Sequence, residues 1–412
     1  MLDPRRAGER RFLSTGGRAS RLSIFAAVLL GGVVSAQAAD DAGCLASPTR
    51  ACVLTMAVNA IEPVLAQKQP ADTDRMLVIW RTAEAIMQSA ADSGQFDLAL
   101  GLVSSFEPNY SGIETGRLFV AMKLGGREKD APPKMAQDTS ADMYTGPALV
   151  ANGRDEDFAA FVKARKLSGY DLAGMRMAGD LMAGHADKAL AILAPFTGDD
   201  RTNAVTRTLE MLLLARRMDA SKPMFAQLDL ATPDGVATCA RIAEGTKDRA
   251  IAERCADALD GLPPKAKSDY FGTGTVIPEV VGALAAVGNW EQSLALIRAQ
   301  PRDAQKAAFV KLVKYGHSPE LLPVARKVFV SGSPESGAYR ARMLVLCGQP
   351  AEAASFVAAT LNDAVRNSAT NAEAEALAEI GDPAAALPLA NTITDPVLRA
   401  RALTAGADAL KS

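Results

Sequence analysis

The sequence predicts an all-α fold, an α-solenoid of about ten stacked antiparallel helical hairpins. Three observations carry that reading. One glycine-centred pattern recurs along the chain, apolar residues at helical spacing precede it, and the alternation that marks strands is nearly missing. Alanine dominates and aromatic residues make up only 5%, which favours close helix packing over a pleated sheet.

The pattern is a Gly, four residues, a small residue and then an apolar one. It reads GNWEQSL at Gly288, GQFDLAL at Gly94, GHADKAL at Gly184, GTKDRAI at Gly245, GQPAEAA at Gly348 and GDPAAAL at Gly381. Weaker copies fall at Gly126, Gly153, Arg217 and Gly316. The ten positions are separated by 27 to 33 residues, apart from one step of 43 between Gly245 and Gly288. A period near 32 residues is the mark of stacked helical hairpins. The long step holds Gly261-Leu262-Pro263-Pro264 and Phe271-Gly272-Thr273-Gly274-Thr275, a turn-rich insertion placed at residues 261–276. Residues 261 to 290 are therefore where a hinge or a special contact surface is expected.

Each unit has a local logic. Leu77, Ile79, Trp80, Ala83, Ile86 and Met87 paint one face of a first helix. The Gly then permits the left-handed backbone that ends it, and an Asp, Glu or Pro suits the first turn of the next helix. Prolines at 108, 195, 263, 301, 334 and 396 are expected to close the second helices.

Ahead of the repeats, six Arg within the first 21 residues precede an apolar run from Leu22 to Val34 and the site Ser35-Ala36-Gln37-Ala38. A basic region, a short apolar core and an A-x-A site predict a cleaved signal peptide over residues 1–38. The mature chain then keeps 39 of 45 Lys and Arg and 45 of 47 Asp and Glu, a net charge of −6. That charge disfavours nucleic acid as a partner, and no second apolar stretch is long enough to span a bilayer. Residues 39–54 form an N-terminal arm, in which Ser47-Pro48 reads as a helix cap with a first-turn proline and Cys44 and Cys52 as a disulfide. The repeats occupy 55–260 and 277–412. Cys239 and Cys255 flank Lys247 symmetrically, so a turn at 245 to 248 would bring them opposite each other. Cys347 is left over and reads as a buried small residue.

The anchor stretches resemble tetratricopeptide repeats. The shared residues are the turn Gly, an aromatic at the third place in Phe96 and Trp290, and a small residue at the sixth in Ala99, Ala189, Ala250, Ser293, Ala353 and Ala386. The resemblance covers roughly residues 55 to 410. It implies a curved superhelix whose first helices line a concave groove that holds a peptide or protein segment. Counting back from the turns, it implies Arg81, Glu84, Gln88, Lys123, Arg207 and Arg342 as groove positions. The Lys and Asn clamp with which some relatives hold a peptide carboxylate is not evident.

Catalytic chemistry is hard to find. His185 and His317 each follow an anchor Gly, and no nucleophile elbow, phosphate loop, dinucleotide fingerprint or paired C-x-x-C is present. No catalytic residue, cofactor or metal ligand is therefore expected. The resulting expectation is a non-enzymatic periplasmic scaffold or adaptor binding a protein or peptide partner, with extracellular secretion as the alternative location. Two other readings stay open: an accessory subunit or superhelical part of a cell-wall-acting enzyme, and a carrier of a small apolar ligand.

Overall fold

A computed structural model of the protein describes residues 41–67, 73–105, 113–133, 135, 142–263, 276–300, 302–315, 317–327 and 333–410. The chain divides into a short unit, 1–47, and a large one, 48–412. In the short unit residues 41–46 are helical. The expected signal peptide, and residues 264–275 of the expected insertion, lie outside the described residues. Among the described residues every regular element is a helix, and no helix is long and apolar enough to cross a membrane.

The large unit opens with α1 (Arg50–Leu65), α2 (Thr73–Asp92), α3 (Phe96–Ser105) and α4 (Ile113–Leu124). Thr49, not Ser47, caps α1 by accepting from the Cys52 amide, so Pro48 lies outside the helix. Next come α5 (Asp142–Ala151), α6 (Asp155–Arg165), α7 (Gly169–Met182), α8 (Ala186–Leu193) and α9 (Gly198–Leu214). A 3₁₀ segment, Met218–Gln227, replaces the α-helix that the repeat rhythm would place there. Pro223 lies within it and has no N–H to give to an α-helical ladder.

After this irregular joint follow α10 (Pro233–Thr246), α11 (Arg249–Gly261), α12 (Ile277–Ala286), α13 (Trp290–Arg298) and α14 (Arg302–Tyr315). The chain ends with α15 (Leu322–Lys327), α16 (Pro334–Leu346), α17 (Pro350–Ala358), α18 (Asp363–Glu379), α19 (Pro383–Thr392) and α20 (Pro396–Ala409). Pro334 and Pro396, expected to close helices, instead start α16 and α20, just inside caps on Ser333 and Asp395. A first-turn proline gives up only an amide that has no helical partner anyway.

One backbone device recurs at several of these joints. Gly94, Gly184, Gly288, Gly348 and Gly381 all have positive φ. The residue after each donates its amide to a carbonyl five residues back: Gln95 to Ala90, His185 to Asp180, Asn289 to Leu284, Gln349 to Leu344 and Asp382 to Leu377. The left-handed residue turns the chain and the six-residue ring satisfies a carbonyl that the helix end leaves open. At two joints the sequence reading misplaces the turn. The positive φ falls on Arg216 and on Lys247, and Gly245 lies inside α10. Gly245 is there for space, since a Cβ on it would come within 2.3 Å of the Met218 Cβ.

Helices pack in a continuous series. α2 packs on α4, α4 on α5, α5 on α7, and α7 on α9. The 3₁₀ segment links α9 to α10, after which α10 packs on α12, α12 on α14, α14 on α16, α16 on α18 and α18 on α20. The series then closes, because α20 packs on both α1 and α2. Val53, Leu54 and Ile61 of α1 are fully buried, as are Ala400 and Leu403 of α20. Around this seam Arg50 donates to Asp408 at 2.9 Å and to the Ser89 hydroxyl at 3.2 Å, and Arg75 pairs with Asp395 at 2.9 Å.

Cys239 and Cys255 are joined by a disulfide that ties α10 to α11, with the Cα atoms 5.8 Å apart. Cys44 and Cys52 are also disulfide-bonded. Cys347 is buried, and burial pushes its thiol up to about 11.

Leu54→Ala should cost about 2–5 kcal/mol, the usual range for a cavity at a fully buried leucine. Because α1 packs on α20, hydrogen exchange should speed up in α20 as much as in α1; unchanged protection in residues 396–409 would show that the closing contact does not couple the two ends.

Candidate functional site

The irregular joint leaves a cleft of about 500 Å³. The end of α9 brings Leu213, Arg216 follows at the turn, and Met218 opens the 3₁₀ segment. From α10 come Arg241, Glu244 and Gly245, from α12 Glu279, and from α14 Lys311, Lys314 and Tyr315. Five consecutive parts of the packing series thus meet around one space. The Cys239–Cys255 bridge fixes the helix that carries Arg241 and Glu244.

Glu244 is the centre of the polar wall. Its side chain is 12% exposed. It accepts from Lys314 Nζ at 2.8 Å and from the Tyr315 hydroxyl, and Lys311 Nζ lies 3.5 Å away. Burial works against its charge, but the hydrogen bonds from Lys314 and Tyr315 and the charges of Lys311 and Lys314 outweigh it. The carboxyl is held below its ordinary value. Burial and the bond to Glu244 push the Tyr315 phenol up, so it stays a donor.

Lys311 also binds Glu279 at 2.9 Å, and Arg241 Nε approaches Glu279 at 3.8 Å. Gly282 makes room for this crossing: a Cβ on it would come within 3.1 Å of Glu244 Oε2 and 3.3 Å of Lys311 Cδ. The arrangement suits recognition of an anion, because four cationic side chains share the lining with two carboxylates. Just outside, the Lys314 carbonyl accepts from Arg342 at 3.3 Å, and Arg342 in turn pairs with Glu379.

The six groove positions expected from the sequence do not gather here. Arg81, Glu84 and Gln88 share α2, where Arg81 is exposed and Gln88 Nε2 donates to Asp92. Lys123 on α4 lies 3.3 Å from both Glu128 and Asp157. Arg207 on α9 pairs with Asp171 at 2.8 Å and with Glu210 at 2.9 Å. Only Arg342 comes near the cleft, through the Lys314 carbonyl. Lys123, Arg207 and Arg342 each hold a carboxylate of this same chain.

Arg241 and Glu244 are not among the groove positions expected from the sequence, because the repeat pattern sets the turn at Gly245, whereas the positive φ falls on Lys247. Counted from Lys247, Arg241 stands where Arg342 stands relative to Gly348, and Glu244 where Lys123 stands relative to Gly126. Glu279 and Gly282 do fall within 261 to 290, the stretch marked by the broken rhythm.

A second polar group lies apart from the cleft. Glu373, in the middle of α18, is 2% exposed, and its Oε2 is buried with no hydrogen-bond partner. Burial pushes its carboxyl up to about 7. His185 and His317 are about half exposed, and His317 Nε2 lies 3.0 Å from Glu379. Among the described residues no three or more His, Cys, Asp or Glu are placed to hold a metal ion.

Two pH-dependent stabilities follow. Glu244→Gln should destabilise the protein at pH 7 by about 1–3 kcal/mol, the scale of hydrogen bonds to a charged group. Its folded value is depressed, so the wild-type advantage is full above the unfolded value of about 4.3 and fades as pH falls through the lower folded one. Urea unfolding at pH 7 and pH 3 reads the difference; equal losses at both would contradict it. Glu373 has the opposite sign. Its folded value is raised, so its ionisation costs stability as pH climbs from the unfolded value through about 7. Glu373→Gln should raise the melting temperature at pH 8 and leave it unchanged at pH 4.

No family model matches the chain, and no curated protein matches it.

Proposed function

We propose that the protein is an exported, non-enzymatic scaffold of the bacterial envelope, built of about ten tetratricopeptide-like hairpins, that binds a protein or peptide partner. The observation that carries this reading is the cleft, because its walls come from consecutive helices of the packing series rather than from one helix pair. A surface assembled that way is how stacked hairpins present a binding site, with shape and charge set by several units at once.

Leu213 adds to it. This side chain is 48% exposed at the rim of the cleft, next to charged groups, the mixture expected where a partner covers an apolar spot inside a polar frame. Export is supported by the sequence of the first 38 residues and by the disulfide-bonded cysteines, which persist in an oxidising compartment. The same two features support a periplasmic location, with extracellular secretion as the alternative.

A photo-crosslinking amino acid at Leu213, in intact cells, should capture a discrete partner band. The same group at Leu361, which is 93% exposed and outside the cleft lining, serves as control. Identical band patterns from the two positions, or none from Leu213, would remove the cleft from the reading.

A further inference from the structure

The chemistry of the cleft lining says what it would hold. Arg216, Arg241, Lys311 and Lys314 face Glu244 and Glu279, a formal excess of two positive charges within the lining. The two carboxylates are already committed: Glu244 to Lys314, Tyr315 and Lys311, and Glu279 to Lys311. Arg241 is different. Among the described residues its one ion pair is the 3.8 Å approach of Nε to Glu279, and it makes no hydrogen bond to any of them, although its side chain is only 38% exposed. A planar guanidinium with its donors unspent is suited to bidentate capture of a carboxylate. Lys314 is 58% exposed, and its ammonium keeps donor capacity beyond its bond to Glu244.

The apolar part of the lining narrows the ligand further. Leu213 and Met218 belong to the same lining, brought by the end of α9 and the start of the 3₁₀ segment. A fully hydrated inorganic anion gains nothing from them, whereas a short carbon frame between two acidic groups would cover them. A volume near 500 Å³ lies within the range of small-ligand pockets, about 300–1,000 Å³.

We infer that the cleft binds a dianion in which two carboxylates are held on a short apolar frame, with Arg241 gripping one carboxylate and Lys314 the other. Two sources present that chemistry: a free dicarboxylate, and a peptide segment with two acidic side chains flanking an aliphatic one. The peptide source rests on the scaffold reading above, and the free source does not.

The test is isothermal titration of the mature, oxidised protein with glutarate, with the peptide acetyl-Glu-Leu-Glu-amide, with its Gln-Leu-Gln counterpart, and with inorganic phosphate. Binding by glutarate or the acidic peptide, absent for the Gln peptide and weaker for phosphate, is the expected result. It should weaken as salt rises, since the groups are partly exposed. Arg241→Ala should weaken it about tenfold or more, and Arg241→Lys, which keeps the charge and loses the fork, by less. Among the described residues Arg241 carries one long ion pair, so its variants should unfold at the wild-type urea concentration. Arg298→Ala, at the end of α13 and outside the lining, should bind as wild type.

Binding of glutarate alone supports the inference and takes this site away from a peptide partner. Binding of the acidic peptide, with or without glutarate, supports both readings. No binding of either at millimolar concentration, equal binding of the Gln peptide, or full binding by folded Arg241→Ala overturns the inference. Capture of a partner from Leu213 in cells would survive those outcomes, so the two readings fail separately.

Discussion

The packing of α20 against α1 and α2 is the contact on which the rest of the arrangement depends. In an open stack each joint between helices turns by its own amount, and small differences only change the curvature. Once the last helix must meet the first, the joints share one condition, and a change at any of them has to be absorbed elsewhere. The seam is held mainly by apolar burial: Val53, Leu54 and Ile61 on one side, Ala400 and Leu403 on the other. Its ion pairs add less, because Asp408 and Arg75 keep much of their side-chain surface in water.

The 3₁₀ segment Met218–Gln227 is the joint least like the others, and the cleft lies beside it. A tighter-wound element at this point separates α9 from α10, so side chains that would meet each other across a regular helix pair instead face a space. Polar groups can then occupy it without the full cost of burial. Glu244 is nearly enclosed but finds two ammonium groups and a phenol, whereas Glu373 on α18 is enclosed with no such partners. The same residue type is therefore held charged at one position and pushed towards neutrality at the other.

Helix content and most turns were legible in the sequence because they are local. A glycine in left-handed conformation after an apolar-periodic run, with a capping residue close behind, needs no tertiary information, and Gly94, Gly184, Gly288, Gly348 and Gly381 follow that rule. Gly245 broke it because a glycine serves two ends. Here it lets Met218 approach, and Lys247 pays the strain of the left-handed turn. That shift of two residues hid Arg241 and Glu244 from a count that would otherwise have reached them. Lys311 and Tyr315 were beyond any local count, since they meet Glu244 across about seventy residues of chain. The closing seam was out of reach for the same reason: Arg50 and Asp408 are separated by 358 positions.

Closure also changes how the protein distributes stability. In an open array of repeats the end units have one neighbour, fray first and need polar caps. Here both ends lend their apolar faces to each other, so neither α1 nor α20 is a free terminus of the packing series. Local opening then has to start inside the series rather than at its ends. Just beyond the 3₁₀ segment the Cys239–Cys255 bridge fixes α10 to α11. The cleft lies beside the 3₁₀ joint, and the register of its charged wall is set by α10, α12 and α14, which carry Arg241, Glu244, Glu279, Lys311 and Lys314.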